Sequence, residues 1–309
     1  MNNLLRIIII FTLYSLTFNT YANEAESFTD KGKALYFKKD YSNALFWFIK
    51  GAEKNNPIAQ VHLGAMYDLG HGVPQDYKQA IKWYLKAAEQ GNKDAQYNLG
   101  IMYNQGWGVP QDYKQAIKWY LKAAEQGNKD AQYNLGTLYG TGLGVPQDYK
   151  QAIKWYLKSA EQGNSNAQYN MGGMYSEGWG VPQDYKQTIK WYLKAAELGN
   201  KDAQYNLGIM YSEGRGVPQD YKQAIKWYLK SAEQGNSNAQ FNLGLMYNQG
   251  LGVTPNNKYA YIWSALAAMD GSHDAINNRD FYAEKLSPSG LEEAQELAVK
   301  LYEKINNKN

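Results

Sequence analysis

Apolar residues recur along this chain at helical spacing, inside a unit that is itself repeated every 36 residues. In the copy at residues 92–127, Ala95, Leu99 and Met102 fall on one face of a predicted helix. A second helix with its own apolar stripe is predicted over residues 113–125. Each copy therefore predicts two helices, and each helix has one side to bury against a neighbour.

Start and stop signals delimit both predicted helices. Asn92 or Asp94 can cap the first helix of this copy, and Asp112 can cap the second. Between the two helices, Gly106 permits a positive φ and Pro110 cannot continue a helix. The Gly-Val-Pro break recurs from copy to copy, beginning at Gly72, Gly108, Gly144, Gly180 and Gly216, with a form one residue longer at Gly252.

Repeats of this length indicate stacked units that cannot bury their apolar faces alone. We predict an all-α fold, a right-handed α-solenoid of stacked antiparallel helix pairs with a C-terminal helical cap. The helix pair near the N-terminus lacks the Gly-Val-Pro break. The C-terminal segment also departs from the repeat, with helices predicted over residues 259–269, 272–286 and 289 to about 305 and a break at Ser287-Pro288. The predicted organisation is a signal peptide (1–22), an atypical helical repeat (23–56), a repeat array (57–271) and capping helices (272–309).

The first residues have the pattern of an export signal. Arg6 precedes an apolar block at residues 7–18, and Thr20-Tyr21-Ala22 places small residues where secretory cleavage requires them. The block is shorter than the roughly 20 residues needed to span a bilayer, and an uncleaved N-terminal anchor is the alternative. We expect an exported protein, periplasmic or secreted, with no integral membrane segment after signal cleavage.

Composition narrows the function classes. A mean hydropathy of −0.64 with 44% hydrophobic and 20% charged residues is typical neither of a polytopic membrane protein nor of a disordered one. A net charge of +3 is too mild for the basic face of a nucleic-acid-binding protein, so no nucleic-acid partner is expected. With no cysteine in the chain, there is no disulfide framework, thiolate metal site or cysteine nucleophile.

The repeat resembles a known family. From Ala95 to Gly127 the chain reads Ala-x-x-x-Leu-Gly-x-x-Tyr-x-x-Gly-x-Gly-Val-x-x-Asp-x-x-x-Ala-x-x-Trp-x-x-Lys-Ala-Ala-x-x-Gly. This pattern resembles the Sel1-like repeat, a relative of the tetratricopeptide repeat, and the match covers about residues 31–270. The resemblance implies an adaptor that brings proteins together through the concave side of a superhelix, often in the bacterial periplasm or in eukaryotic secretory membranes. We therefore expect a non-catalytic scaffold of the cell envelope with a protein or peptide partner.

The candidate partner-binding residues are polar and aromatic side chains of the repeats. In members of the family the first helix lines the groove, where paired amide donors and acceptors can hold an extended backbone. The alternative is that each asparagine bonds the neighbouring helix. The candidates are Asn98, Asn134, Asn170, Asn206 and Asn242, the preceding Tyr97, Tyr133, Tyr169 and Tyr205, and the loop residues Trp107 and Trp179.

Two positions vary between copies that are otherwise nearly identical. Both rows are predicted to lie outside the core, where they either drift neutrally or tune a binding face. The loop aromatics among them are typical interface anchors, but they can equally pack over the adjoining repeat. The rows are Ala65, Ile101, Thr137, Gly173, Ile209 and Leu245 on the first helix, and His71, Trp107, Leu143, Trp179, Arg215 and Leu251 on the loop.

Catalytic chemistry has little support in the sequence. His62, His71 and His273 occupy unrelated positions and lack a recurring carboxylate or serine partner. We predict no catalytic residue, metal site or cofactor. Two alternatives remain: a secreted virulence factor or toxin-neutralising immunity protein, and an enzyme that binds or hydrolyses β-lactams or peptidoglycan fragments. The absence of cysteine disfavours the enzyme, because the β-lactam-binding relatives carry a cysteine pair in each repeat.

Overall fold

The computed structural model describes residues 23–307, which form sixteen α-helices. The predicted signal peptide, residues 1–22, lies outside the described residues, as do residues 308–309 of the predicted cap. The helices are α1 (23–37), α2 (Tyr41–Glu53), α3 (Pro57–Leu69), α4 (Tyr77–Glu89), α5 (Lys93–Gln105), α6 (Tyr113–Glu125), α7 (Lys129–Thr141), α8 (Tyr149–Glu161), α9 (Ser165–Glu177), α10 (Tyr185–Glu197), α11 (Lys201–Glu213), α12 (Tyr221–Ala232), α13 (Ser237–Gln249), α14 (Asn257–Ala267), α15 (His273–Ala283) and α16 (Pro288–Asn306).

Successive helices pack in stacked pairs, and this confirms the predicted all-helical repeat fold. Seven pairs run from α1–α2 to α13–α14, and α15 and α16 follow them. The chain divides within α8 into two compact units, the first ending at Trp155 and the second beginning at Tyr156. In both units the core consists of the apolar faces that the sequence pattern predicts, such as Ala95, Leu99 and Met102 in α5.

Asparagine and aspartate side chains start the helices of each pair. For α5 the capping residue is Asn92 rather than Asp94, because Asn92 Oδ1 accepts hydrogen bonds from the backbone N–H groups of Asp94 and Ala95. Asp112 caps α6 in the same way. At the end of α5, Gly106 has a φ of 75° and its N–H donates to the carbonyl of Met102. The left-handed conformation at this position explains why glycine recurs there.

The aspartate caps give a test of local stability. Asp184 Oδ1 accepts from the backbone N–H groups of Lys186 at 2.9 Å and Gln187 at 3.1 Å. We expect Asp184→Ala to lower the free energy of unfolding by about 1 kcal/mol, since two N–H groups lose their acceptor. Urea denaturation followed by circular dichroism measures this loss. Asp184→Asn, which keeps the acceptor, should lose much less, and an equal loss in both variants would mean that the cap is not the cause.

Near the C-terminus the helix boundaries differ from the prediction. Ser287-Pro288 was predicted to break the chain before a helix starting at Ser289, but α16 begins at Pro288 and Ser287 is its N-cap. Proline suits the first turn of a helix because its missing N–H would have no intrahelical partner there. Helix α14 ends at Ala267 and continues as a short 3₁₀ helix, Ala268–Asp270, instead of running on to Met269 as an α-helix.

Candidate functional site

In four of the described repeats, a tyrosine of the second helix packs directly on a glycine of the first helix. At Gly64, a Cβ atom would lie 2.6 Å from Cε1 of Tyr84, which is less than van der Waals contact permits. The same arrangement recurs at Gly100, Gly172 and Gly208, which face Tyr120, Tyr192 and Tyr228. The glycines let each ring lie flat on the first helix. Two of the tyrosine hydroxyls contact a polar side chain of the same first helix: the Tyr84 hydroxyl lies 3.5 Å from Asp68 Oδ2, and the Tyr228 hydroxyl lies 3.5 Å from Ser212 Oγ.

The asparagine row is hydrogen-bonded to tyrosines of the preceding repeat. In the second unit, Asn206 Nδ2 donates to the hydroxyl of Tyr169 at 3.4 Å, and Asn206 also hydrogen-bonds to Tyr192. The two rings stack with their centroids 5.5 Å apart. One amide therefore joins a tyrosine of the first helix and a tyrosine of the second helix in the repeat before it.

The same triad occurs at two further positions. In the first unit Asn134 hydrogen-bonds to Tyr97 and Tyr120, whose ring centroids lie 5.9 Å apart. In the second unit Asn242 hydrogen-bonds to the corresponding pair, Tyr205 and Tyr228. At these positions the asparagine side chains interact with tyrosines of two neighbouring helices. Their half-buried side chains also face the surface, so binding by them stays a prediction.

Burial keeps these hydroxyls neutral. It raises the pKa of Tyr120 and Tyr192 well above the usual value, and the hydrogen bonds from Asn134 and Asn206 only partly oppose that effect. Burial likewise raises the pKa of Tyr97, Tyr169 and Tyr205, each with an opposing asparagine hydrogen bond. The triads thus present neutral donors and acceptors at physiological pH, which suits recognition of a backbone or amide rather than proton transfer.

The remaining members of the row are half-buried on the corresponding face of their helices. Asn98, Asn170 and Tyr133 lie there. One repeat before Asn98, the asparagine position is taken by His62, whose ring stacks on Phe48 with a centroid distance of 4.7 Å. Burial, followed by the charge of Lys33, lowers the pKa of His62. At the N-terminal end of the asparagine row, a stacked aromatic contact therefore takes the place of the asparagine.

The variable loop residues cover the start of the preceding second helix. Trp107 stacks on Tyr77, with centroids 5.6 Å apart and an interplanar angle of 14°. His71 stacks on Tyr41 at 4.3 Å in the equivalent place. Trp107 nevertheless stays 41% exposed and Trp179 is 48% exposed. Trp107 thus packs over the adjoining repeat, and part of its side chain is still exposed at the surface.

In the second unit, both variable rows meet at one cavity. Helices α11, α12 and α13 and the loop after α13 border this open cavity, which has a volume of about 360 Å³. Ile209 and Leu245 from the variable helix row and Leu251 from the variable loop row line it, beside Tyr205 and Asn242 of the predicted site. The other lining residues are Ser212, Glu213, Tyr221, Tyr228, Met246 and Gln249. Two of the predicted site residues are therefore brought together with the positions at which the repeats differ.

A single family accounts for the whole repeat array. The model of the Sel1 repeat matches the chain seven times in succession, at residues 30–56, 57–92, 93–128, 129–164, 165–200, 201–236 and 237–272. The chain belongs to the Sel1 repeat family. Sel1 repeat proteins are typically non-catalytic and bind other proteins.

Solved Sel1 repeat structures extend the comparison. The crystal structure of c5321, a protective antigen present in uropathogenic Escherichia coli strains, is 38% identical, with a TM-score of 0.83 over 92% of this chain. The chain spans 62% of that antigen's length. A Sel1 repeat protein from Oxalobacter formigenes is 42% identical, with a TM-score of 0.72, over 78% of this chain and 99% of its own. A search among curated proteins finds no match.

Two kinds of feature are not found among residues 23–307. No helix in this range has the length and apolar character that a membrane crossing requires. The same residues contain no group of three or more histidine, aspartate or glutamate side chains placed to hold a metal ion.

A buried glutamine links successive Sel1 repeats, and the sequence analysis missed it. Gln96 Nε2 donates to the carbonyl of Ala88 at 3.2 Å, and Gln96 Oε1 accepts from Gln126 Nε2 at 2.8 Å. The second unit repeats this pair with Gln204 and Gln234. The signal was present, since a glutamine directly follows the buried alanine of the first helix in every full repeat.

One of these glutamine links is interrupted. Gln168 is only 6% exposed, and its Oε1 has no hydrogen-bond partner among the described residues. Leu198, 57% exposed, occupies the sequence position that corresponds to Gln126 and Gln234. A buried acceptor without a partner costs stability, so this repeat carries a local defect beside an exposed apolar side chain.

Repairing that link should stabilise the protein. We expect Leu198→Gln to raise the free energy of unfolding by about 1 kcal/mol, because a glutamine Nε2 at this position can donate to Gln168 Oε1. Thermal and urea denaturation measure the gain. Leu198→Ala, which removes the exposed apolar surface but adds no donor, is the control. Equal stability of the two variants would show that the unpaired acceptor is not the reason.

Proposed function

We propose that this Sel1 repeat protein is a non-catalytic scaffold of the cell envelope that binds a segment of a partner protein along the first helices of its repeats. The observation that carries the proposal is the composition of the cavity in the second unit. Its frame consists of residues common to successive copies, such as Tyr205 and Asn242, whereas Ile209, Leu245 and Leu251 belong to the rows that differ.

Such a surface suits recognition of an extended segment, because some of its residues are the same in successive repeats while others differ from repeat to repeat. Amide and hydroxyl groups of the frame can satisfy the partner's backbone, while the variable side chains select its residues. The frame is also held by hydrogen bonds and close ring packing before any partner arrives. A preorganised surface lowers the entropy cost of association, so a modest contact area can still bind.

Site-specific photocrosslinking tests the proposal. A photoreactive amino acid at Ile209 probes the cavity, and the same group at Lys226, an exposed residue of the neighbouring helix α12, is the matched control. Asn206 is a poorer position, since it hydrogen-bonds to two tyrosines. In native cell envelopes we expect a specific protein adduct from position 209 that position 226 does not give. The same adducts from both positions would contradict binding at this face.

Export is part of the proposal, and the sequence of residues 1–22 supports it. A second candidate function is that of a secreted virulence factor, which the 38% identity to a protective antigen of uropathogenic strains favours. Fractionating the source cells separates the two. Protein retained in the periplasm supports the envelope scaffold, and protein in the medium or on the outer surface supports the secreted factor.

A further inference from the structure

The cavity between α11 and α13 carries a charge. Among its lining residues Glu213 is the one with an acidic carboxyl or a basic group, and its side chain is 44% exposed. The rest of the wall consists of aromatic rings, aliphatic side chains and neutral polar groups. An opening of this kind offers one negative charge at the rim and apolar or aromatic walls below it.

The negative charge acts on groups within the cavity. Burial is the main reason that the pKa of Tyr205 and Tyr228 is raised, and the carboxylate of Glu213 raises both further. The same wall offers tyrosine rings, whose faces attract cations at distances up to about 6 Å. The aliphatic side chains of Ile209 and Leu245 form an apolar surface on which a hydrocarbon chain can pack.

We propose that this cavity binds the side chain of a lysine or arginine from the partner segment. The hydrocarbon stem packs on Ile209 and Leu245 while the cationic group lies between the tyrosine rings and the Glu213 carboxylate. A volume of about 360 Å³ is near the lower end for ligand pockets, roughly 300–1,000 Å³, and so suits one long side chain. The inference rests on the proposed scaffold function and specifies one residue class of its partner.

The protein itself already supplies a cation to Glu213. Arg215 Nε lies 2.5 Å from Glu213 Oε2, and both side chains are about half exposed. Exposed ion pairs contribute little to stability, so a partner's cation can replace Arg215 at small cost. Arg215 is also a member of the variable loop row, and in the unbound protein it forms the ion pair with the Glu213 carboxylate. Its removal should therefore strengthen binding of an external cation.

Methyl NMR of the mature chain, with labelled isoleucine and leucine methyl groups, tests the inference. The probes are the capped tripeptides Ac-Ala-Lys-Ala-NH2 and Ac-Ala-Arg-Ala-NH2, compared with the norleucine and glutamate peptides. We expect both cationic peptides to shift the Ile209, Leu245 and Leu251 methyl signals, with affinities roughly five- to tenfold above that of norleucine. The glutamate peptide should leave these signals unchanged.

Three variants make the test specific. Glu213→Gln should remove the preference for lysine over norleucine, and Arg215→Ala should strengthen lysine binding. Glu177→Gln is the matched control, because Glu177 holds the same helix position one repeat earlier and does not line this cavity; it should leave the preference intact. Urea denaturation of each variant checks that folding is unchanged.

The results separate this inference from the scaffold proposal. Equal binding of norleucine and lysine, or a lysine preference that survives in Glu213→Gln, would overturn the cationic assignment. If the peptides fail to bind while position 209 still captures a specific partner, the inference is wrong and the scaffold proposal stands. If the lysine preference is found but no partner is captured at position 209, the cavity binds cationic side chains, but the scaffold proposal is contradicted and the assignment of this cation to a partner segment is overturned with it.

Discussion

Replacing Gly172 by alanine should destabilise the protein, whereas the same change at its neighbour Gly173 should stabilise it. A Cβ atom at Gly172 would overlap the ring of Tyr192, and a Cβ atom at Gly173 would meet nothing within 4 Å. Overpacking costs about 1–3 kcal/mol, while replacing an unstrained glycine inside a helix by alanine gains about 0.5–1 kcal/mol. The two variants should therefore shift the free energy of unfolding in opposite directions.

Urea denaturation followed by circular dichroism gives both values. Each variant is the control for the other, because the residues are adjacent, the substitution is identical and both positions lie within α9. Stabilisation by both variants would show that the Tyr192 ring can move away without cost. In that case the glycine is not required for close packing, and the position of the tyrosine hydroxyl is less fixed than the triad with Asn206 implies.

Gln204→Ala is expected to lower the free energy of unfolding by about 2–3 kcal/mol. The buried side chain donates to the carbonyl of Ala196 at 3.0 Å and accepts from Gln234 Nε2 at 2.8 Å. Removing it ends both of these bonds and opens a small space between helices, while the carbonyl of Ala196 keeps its bond from the backbone N–H of Gly199. Chemical denaturation measures the loss, with Gln204→Glu as a second variant that keeps the size of the side chain but replaces the donor.

Gln234→Ala provides the graded comparison. Gln234 is only partly buried, and in this variant Gln204 keeps its bond to Ala196. The expected loss is about 1 kcal/mol, and it leaves Gln204 Oε1 in the state that Gln168 Oε1 already has in the parent protein. Equal losses for Gln204→Ala and Gln234→Ala would mean that the bond between the two glutamines carries the whole effect and the bond to the carbonyl none.

The helices could be predicted from the sequence because the signals that start, stop and orient a helix are local. Apolar spacing, the caps at Asn92 and Asp112 and the glycine at Gly106 each act within a few residues of the chain. The boundary at Pro288 was misplaced, since proline can both interrupt a helix and begin one. Only the hydrogen bonds of the preceding serine decide between these roles.

The site was less predictable because its contacts join residues about one repeat apart. The sequence left open whether Asn206 binds a partner or a neighbouring helix, and the hydrogen bond to Tyr169 spans 37 residues. The stacking of Trp107 on Tyr77 likewise joins two successive repeats. Gln96 was overlooked because polar residues are usually exposed on a helix, and its burial becomes apparent only when the neighbouring repeat is in place.

The triads have a consequence for how such a chain can change in length. Removing residues 201–236 would place Asn242 where Asn206 now lies, against the same two residues, Tyr169 and Tyr192. The contacts of this asparagine with the two tyrosines are thus preserved at the new junction, so whole units can be deleted or duplicated without a new partner for it having to evolve. Tandem copies of one gene segment would then vary the number and order of binding positions while each product still folds.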